Sequence, residues 1–264
     1  MGSMDSTTDD LPTFADERQS RIAELVAARG KVLTSQLTAL FDVSEPTLRK
    51  DLSVLEQRGL LKRTHGGAIS VRAPREQDPE ARSTLHFEAK QAIGTACLME
   101  LNDGDSVFLD SGTTVQLVAR EVARANRRLK VVTNAPKVAA EVATSSECSH
   151  LLLGGEYRAI GGSLTGPLTL QNLELFTINA AVIGVSGITE DGLTVSDLAE
   201  AQLKNAVIAR AQKVIVPADG SKIGVVDFTR VCGLDQVDVV VTDRPNAILE
   251  SMCRSRGIKV IVAN

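Results

Sequence analysis

Asp110-Ser111-Gly112-Thr113-Thr114 puts a carboxylate, three hydroxyls and a glycine between an apolar run and an amphipathic stretch. If the run is a strand and the stretch a helix, these residues open the helix. Unpaired backbone N–H groups and Ser/Thr hydroxyls there make an anion site. Four more small polar clusters follow apolar runs: Thr133-Asn134, Gly154-Gly155-Glu156, Gly184-Val185-Ser186-Gly187 and Asp219-Gly220-Ser221-Lys222. Lys222 supplies a point charge suited to phosphate. Singly, each cluster is ordinary turn chemistry; five at the same end of successive strands describe a binding crevice. Asp197, Glu200 and Lys204 add charge at helical spacing. Glu200 and Lys204 read either as a surface i,i+4 ion pair or, with Asp197, as crevice groups for sugar hydroxyls or phosphate.

A second chemistry lies nearer the N-terminus. Ser44 is a natural N-cap, Pro46 falls in a first helical turn where a missing N–H costs little, and Leu48, Leu52 and Leu55 repeat at i, i+4 and i+7. With the leucines inward, Glu45, Thr47, Arg49 and Lys50 face outward beside Ser44. A recognition helix presents such groups to base edges in the major groove, where Arg forks onto guanine and Lys does so less well. The same charges also suit the solvated face of any helix. Residues 60–64 and 68–71 read as two strands joined by His65-Gly66-Gly67. This basic hairpin is a wing that offers Lys62, Arg63 and His65 to phosphates or the minor groove; His65 also reads as a plain turn residue.

These groups need scaffolds. A helix from Asp16 buries Ile22, Leu25 and Val26, leaves Arg18, Arg21 and Glu24 wet, and ends at Gly30. Thr34 caps a short second helix with Leu37, Leu40 and Phe41 inward, and Gly59 stops the third. Residues 1–13 read as a disordered tail whose Met1-Gly-Ser-Met4 is a cloning remnant, 14–72 as a winged helix-turn-helix domain, and 73–86 as an extended linker with two prolines. From 87 to 264, strands at 106–110, 129–133, 150–154, 180–184, 213–217, 237–242 and 258–262 alternate with helices. That pattern is a Rossmann-like α/β domain with a mostly parallel sheet covered on both faces, and ligands bind such sheets at the strands' carboxyl ends.

The whole chain of 264 residues carries a net charge of −4, but residues 14–72 hold ten Lys/Arg against seven Asp/Glu. A basic unit on an acidic body suits a DNA reader joined to a module that avoids phosphate backbones. Aromatics are 3% with no Trp, which disfavours base stacking on single strands. Cys97, Cys148, Cys232 and Cys253 lack metal-ligand spacing and read as buried small hydrophobes in a reducing compartment. The sequence calls for no cofactor and no metal. It contains no phosphate-binding G-x-x-x-x-G-K-[ST] loop, no H-E-x-x-H and no C-x-x-C, and neither a secretory signal nor an apolar run that spans a membrane. A cytoplasmic protein is expected.

Arg18-Gln19, Ile22, Leu25, Gly30, Leu37, Phe41-Asp42-Val43-Ser44, Thr47 to Leu52, Leu55-Glu56, Gly59 and Arg63 to Ala68 resemble the N-terminal domain of the DeoR family of bacterial regulators. That family usually has a second Arg where this chain has Lys50, and seldom a Pro at position 46. Asp110 to Thr114, Thr133-Asn134, Leu153-Gly154-Gly155, Gly192-Leu193-Thr194, Glu200-Ala201, Lys204 and Asp219 to Gly224 resemble the same family's sensor domain. The resemblance implies a repressor of carbohydrate-metabolism genes. It would bind a double-stranded operator as a homodimer or homotetramer, under control of a phosphorylated sugar or polyol. Two rivals remain. The sensor domain is related to sugar-phosphate isomerases, and Asp110, Glu200 and Lys204 are the right types for proton transfer; a metabolic isomerase, however, needs no DNA reader, so no enzyme activity is expected. The second rival is a larger domain that only oligomerises, against which its polar strand ends argue.

Overall fold

A computed structural model describes residues 14–29, 31–64, 66–70 and 84–263. The expected tail at 1–13, the helix stop at Gly30, the wing turn at His65 and most of the 73–86 linker lie outside them. The chain divides into two compact units, Met1–Glu76 and Gln77–Asn264.

In the first unit, α1 (Phe14–Arg29), α2 (Thr34–Phe41) and α3 (Glu45–Gln57) precede the hairpin β2 (Leu61–Thr64) and β3 (Gly67–Ser70). Ile22, Val26, Leu37, Leu48, Leu52, Leu55, Leu61 and Ala68 form one buried cluster with Val32. The i, i+4, i+7 leucines of α3 thus face inward as their spacing predicts. Three details differ from the sequence reading. Val32 belongs to a short strand, β1 (Lys31–Leu33), that pairs antiparallel with β3 and makes the sheet three-stranded. The β1 backbone lies so close to Gly67 that any side chain there would meet the Val32 carbonyl. Leu40 is 59% exposed: on an eight-residue helix Leu37 and Phe41, one turn apart, take the core side, and Leu40 falls beyond it. Arg18 is not simply wet either, because its Nε donates to Asp51 Oδ2 at 2.7 Å.

The second unit is built on a seven-stranded sheet in which every pairing is parallel. In chain order its strands are β4 (Ser106–Leu109), β5 (Lys130–Thr133), β6 (Ser149–Leu152), β9 (Ile178–Val182), β12 (Ala211–Pro217), β14 (Val239–Thr242) and β15 (Lys259–Val262). All seven predicted strands are present. Side chains alternate between two cores. Val107, Leu109, Val131, Val182, Ile215 and Val241 join Ile93, Val115, Val118 and Val138 on one face. Phe108, Val132, Ala181, Val214, Val216 and Val240 join Leu203, Val207 and Leu249 on the other. Helices α4 (Phe87–Leu98), α5 (Thr113–Arg124) and α6 (Pro136–Val142) cover the first face; α8 (Leu198–Ile208) and α9 (Ala247–Arg254) pack in the second core. Burial on both sides explains why the inner strands read as continuous apolar runs; the edge strand β6 ends in two leucines, yet all four of its residues are exposed.

The strand order is β15-β14-β12-β9-β4-β5-β6. From β4 the chain steps outward to β6, then returns to the other side of β4 with β9 and proceeds outward again. The order reverses between β4 and β9, the place where open α/β sheets commonly bind ligands at their carboxyl ends. Outside this sheet, β7 (Glu156–Arg158) and β8 (Ser163–Thr165) form a hairpin followed by α7 (Pro167–Leu173), and β10 (Gly187–Thr189), β11 (Gly192–Val195) and β13 (Thr229–Cys232) make a small antiparallel sheet. Sequence periodicity missed these, because three- and four-residue strands show too little alternation to read.

Candidate functional site

The candidate DNA-reading surface is the start of α3 with the hairpin. Ser44 caps α3: its Oγ accepts from the Thr47 backbone N–H at 3.4 Å and lies 2.8 Å from the Thr47 hydroxyl. Arg49 reaches back one turn to Glu45, with Nη2 2.6 Å from Oε1, and both side chains are more than half exposed. An exposed pair of this kind contributes at most about 1 kcal/mol, so Arg49 can exchange Glu45 for a base edge at little cost. Lys50, Lys62 and Arg63 are exposed. The Arg63 backbone N–H donates to Glu56 Oε1 at 2.7 Å, which ties the hairpin to α3. Asp51, on the opposite side of α3, is buried and accepts from Arg18 and, at 2.9 Å, from the Gln19 amide. That pair of bonds fixes α1 against α3, leaving Asp51 a structural role.

In the second unit, Asp110 follows β4 and Gly184 follows β9, one on each side of the switch point. The Gly184 backbone N–H donates to Asp110 Oδ2 at 2.9 Å, and Lys204 of α8 forms a salt bridge to the same oxygen. Asp110 and Lys204 are both buried, and Asp110 Oδ1 has no hydrogen-bond partner. Glu200 pairs with Arg158 of β7 at 3.0 Å and accepts from the Ser163 hydroxyl at 3.4 Å. The surface reading of Glu200 and Lys204 as partners gives way: both are buried, with Glu200 held by the hairpin and Lys204 by β4. Asp197 caps α8 through a 3.0 Å bond from the Glu200 N–H, and its other oxygen lies 3.3 Å from Arg158.

Beside this network an open cleft is lined by Gly112, Thr113 and Gln116 of α5's opening, Ala135, Lys137 and Val138 of the β5–α6 junction, and Gly161 and Gly162 of the hairpin. Gly112 has φ +113° and Gly162 φ +63°, and a methyl added at either would meet nothing within 4 Å. The floor is polar. Asn134, buried just before Ala135, gives its amide to the Leu164 carbonyl at 3.1 Å while its Oδ1 has no partner. Ser111 is buried next to Asp110, and Thr114 is half-buried in the first turn of α5. Backbone N–H donors at the start of α5 suit an anion, and unpaired acceptors on Asp110 and Asn134 suit hydroxyl groups.

Other expected residues sit differently. The Thr133 hydroxyl accepts from the Ala135 N–H at 3.1 Å, shaping the turn. Gly155 packs so tightly on Thr169 of α7 that a side chain there would clash, and Thr169 donates to the Gly154 carbonyl at 2.8 Å. The two glycines are therefore a packing contact. Lys222 follows β12, which β9 separates from β4. Burial acts to raise the Asp219 pKa, but a hydrogen bond from Ser221 and the Lys222 charge hold it below the usual carboxylate range. Sequence reasoning missed Lys137, Arg158, Gly161, Gly162 and Ser163. The signal available was Arg158 followed by a Gly-Gly turn, and a cation directly after Asn134-Ala135-Pro136.

All four cysteines are buried and free, and burial, with a smaller push from Asp235, raises the Cys232 thiol to about 11. Among the described residues no helix is long and apolar enough to cross a membrane, and no group of three or more His, Cys, Asp or Glu side chains could hold a metal ion.

Comparison with known proteins agrees with this two-part layout. A family model described as DeoR-like helix-turn-helix domain matches residues 18–73, and one described as DeoR C terminal sensor domain matches residues 85–244. The chain is 35% identical over 93% of its length to the HTH-type transcriptional regulator GlpR of Haloferax volcanii, covering 96% of that protein. It is 31% identical over 94% to the HTH-type transcriptional repressor GlcR of Bacillus subtilis, covering 96%, and 32% identical over 87% to the glycerol-3-phosphate regulon repressor of Escherichia coli, covering 91%. Among solved structures, ribose 5-phosphate isomerase A of Methanocaldococcus jannaschii matches 52% of this chain and 55% of its own at a TM-score of 0.38 and 15% identity, a likeness too distant to bear on activity. With a reader and a sensor matched in sequence across almost the whole chain, and its full-length relatives named as regulators, the protein belongs to the DeoR family of DNA-binding transcription regulators.

Proposed function

We propose that this regulator represses carbohydrate-metabolism genes and that a phosphorylated sugar or polyol, bound in the cleft at the carboxyl ends of β4 and β5, sets its affinity for the operator. One observation carries the reading. At the carboxyl ends of β4 and β5, the backbone N–H donors that open α5 line a cleft close to buried acceptors with no partner, on Asp110 and Asn134, a combination suited to a phosphate ester bearing hydroxyls. The names of relatives support it, since one of them is a glycerol-3-phosphate regulon repressor. Ser111, Gly112, Thr113 and Thr114 serve the phosphate. Asp110, Asn134 and the Lys204–Glu200–Asp197 group hold or orient the hydroxyls, with Thr133, Gly154 and Gly155 shaping the walls and Lys222 adding positive potential. Residues 14–72 are the reader and 87–264 the sensor, joined by 73–86. Ser44, Glu45, Thr47, Arg49 and Lys50 meet bases or the adjoining backbone; Lys62, Arg63 and His65 meet phosphates. The protein works in the cytoplasm as a homodimer or homotetramer, because helix-turn-helix readers gain specificity from paired half-sites.

An effector shifts operator affinity only if it binds the DNA-competent and incompetent states unequally. The test is fluorescence anisotropy on DNA upstream of the protein's own gene, titrated with phosphosugars and phosphopolyols. A specific complex whose midpoint moves with one phosphate ester, and not with its unphosphorylated parent, is expected. DNA binding that no member of the panel alters would leave the larger domain with an assembly role only.

A further inference from the structure

We propose that Lys137 reads the charge of the crevice ligand and selects a phosphate ester over the uncharged sugar or polyol. This rests on the effector site proposed above and assigns its selectivity to one side chain. Lys137 lines the cleft with Gly112 and Thr113, at the opening of α5, and with Gly161 and Gly162 of the hairpin. The neighbouring charges are already matched. Arg120 and Gln116 hold Glu141, Arg158 holds Glu200, and Lys204 holds Asp110. Among the described residues no carboxylate lies within 4.0 Å of the Lys137 ammonium. The cleft thus contains an uncompensated cation next to a helix start that already favours an anion.

The buried acceptors give an independent indication of a ligand. Asn134 is 1% exposed and Asp110 0%, each with one oxygen lacking a partner, and a native fold seldom leaves such atoms unanswered. Asn134 stands three residues before Lys137 and directly before the lining residue Ala135. Acceptors need donors, so a ligand that reaches them would offer hydroxyls. They cannot favour a phosphate, which offers acceptor oxygens of its own. Selection of the charged group therefore falls to the donors at Gly112 and Thr113 and to Lys137, the only one of these that carries full charge. Lys137 is exposed, and among the described residues its side chain makes no hydrogen bond or ion pair that its removal would break, so its variants should fold.

The experiment uses the full chain as wild type, Lys137→Met and Lys137→Arg. Calorimetry and thermal shift are run against inorganic phosphate and a panel of three- to six-carbon phosphate esters, each beside its unphosphorylated parent. Lys137→Met should weaken the best ester by up to about fivefold and leave the parent polyol unchanged, while Lys137→Arg stays within about twofold. The ester's affinity should also fall less steeply with added salt in Lys137→Met than in wild type. A wild type that answers an ester while Lys137→Met binds it equally well, with the same salt dependence, overturns the assignment and leaves the effector site standing. A wild type that answers no member of the panel overturns both.

Discussion

Replacing Lys204 with Met keeps most of the side chain's length and deletes its charge. Asp110 would then stand in a fully buried position with the Gly184 N–H as the remaining donor to Oδ2, and with Oδ1 still unmatched. Breaking a buried pair by removing one partner costs about 3–5 kcal/mol, because an uncompensated charge is left behind. In a domain of this size each kcal/mol moves the melting temperature by roughly 2–4 °C, so a fall on the order of 10 °C is expected. Asp110→Asn should cost a similar amount, since it leaves the Lys204 ammonium beside an amide. The double replacement Asp110→Asn, Lys204→Met should cost less than the sum of the two single losses, by a coupling of roughly 1–3 kcal/mol between the two sites. Urea unfolding followed by circular dichroism measures all four corners of the cycle, provided the two units' transitions are resolved. The reasoning fails if Lys204→Met costs less than about 1 kcal/mol, the range of an exposed pair, or if the two single losses simply add.

Arg49→Ala should weaken operator binding by about 1–3 kcal/mol and relax the base preference at one position, while thermal stability changes by under about 0.5 kcal/mol because the Glu45 pair is exposed; anisotropy on matched and mutated operators, with a melting curve, checks both. Asp51→Ala should act the other way, destabilising the reader by about 3 kcal/mol as Arg18 and Gln19 lose their shared acceptor; a variant that melts like wild type would remove Asp51 from its structural role. Glu100 tests the pH dependence. Burial tends to raise its pKa, but hydrogen bonds and charge from Lys213 and Lys259 outweigh that and hold it below the ordinary carboxylate value. A depressed folded-state pKa stabilises the protein above the unfolded value, near 4.3, and this contribution is lost as pH falls through the folded value. Glu100→Gln should therefore be less stable than wild type at pH 7, with the gap closing below about pH 4 in a thermal-unfolding series.

What the sequence by itself determined is whatever repeats over short distances. The seven strands, the inward leucines of α3, the Ser44 cap and the helix opening at Gly112 were legible because they rest on periods of two or 3.6 and on caps within four residues. The tertiary structure alone decided which charges meet. Glu200 and Lys204 are neighbours on one helix, and local spacing favoured pairing them. Instead Lys204 reaches Asp110, 94 positions earlier, and Glu200 reaches Arg158, 42 positions earlier. The cause is the reversal of strand order between β4 and β9, which brings α8 and the hairpin to the same edge. Lys137 entered the candidate site the same way, since nothing in its neighbours along the chain announces that Gly161 and Gly162 lie opposite. Local chemistry makes the elements, and long-range burial chooses their partners, because a buried charge must find a counter-charge wherever the fold supplies one.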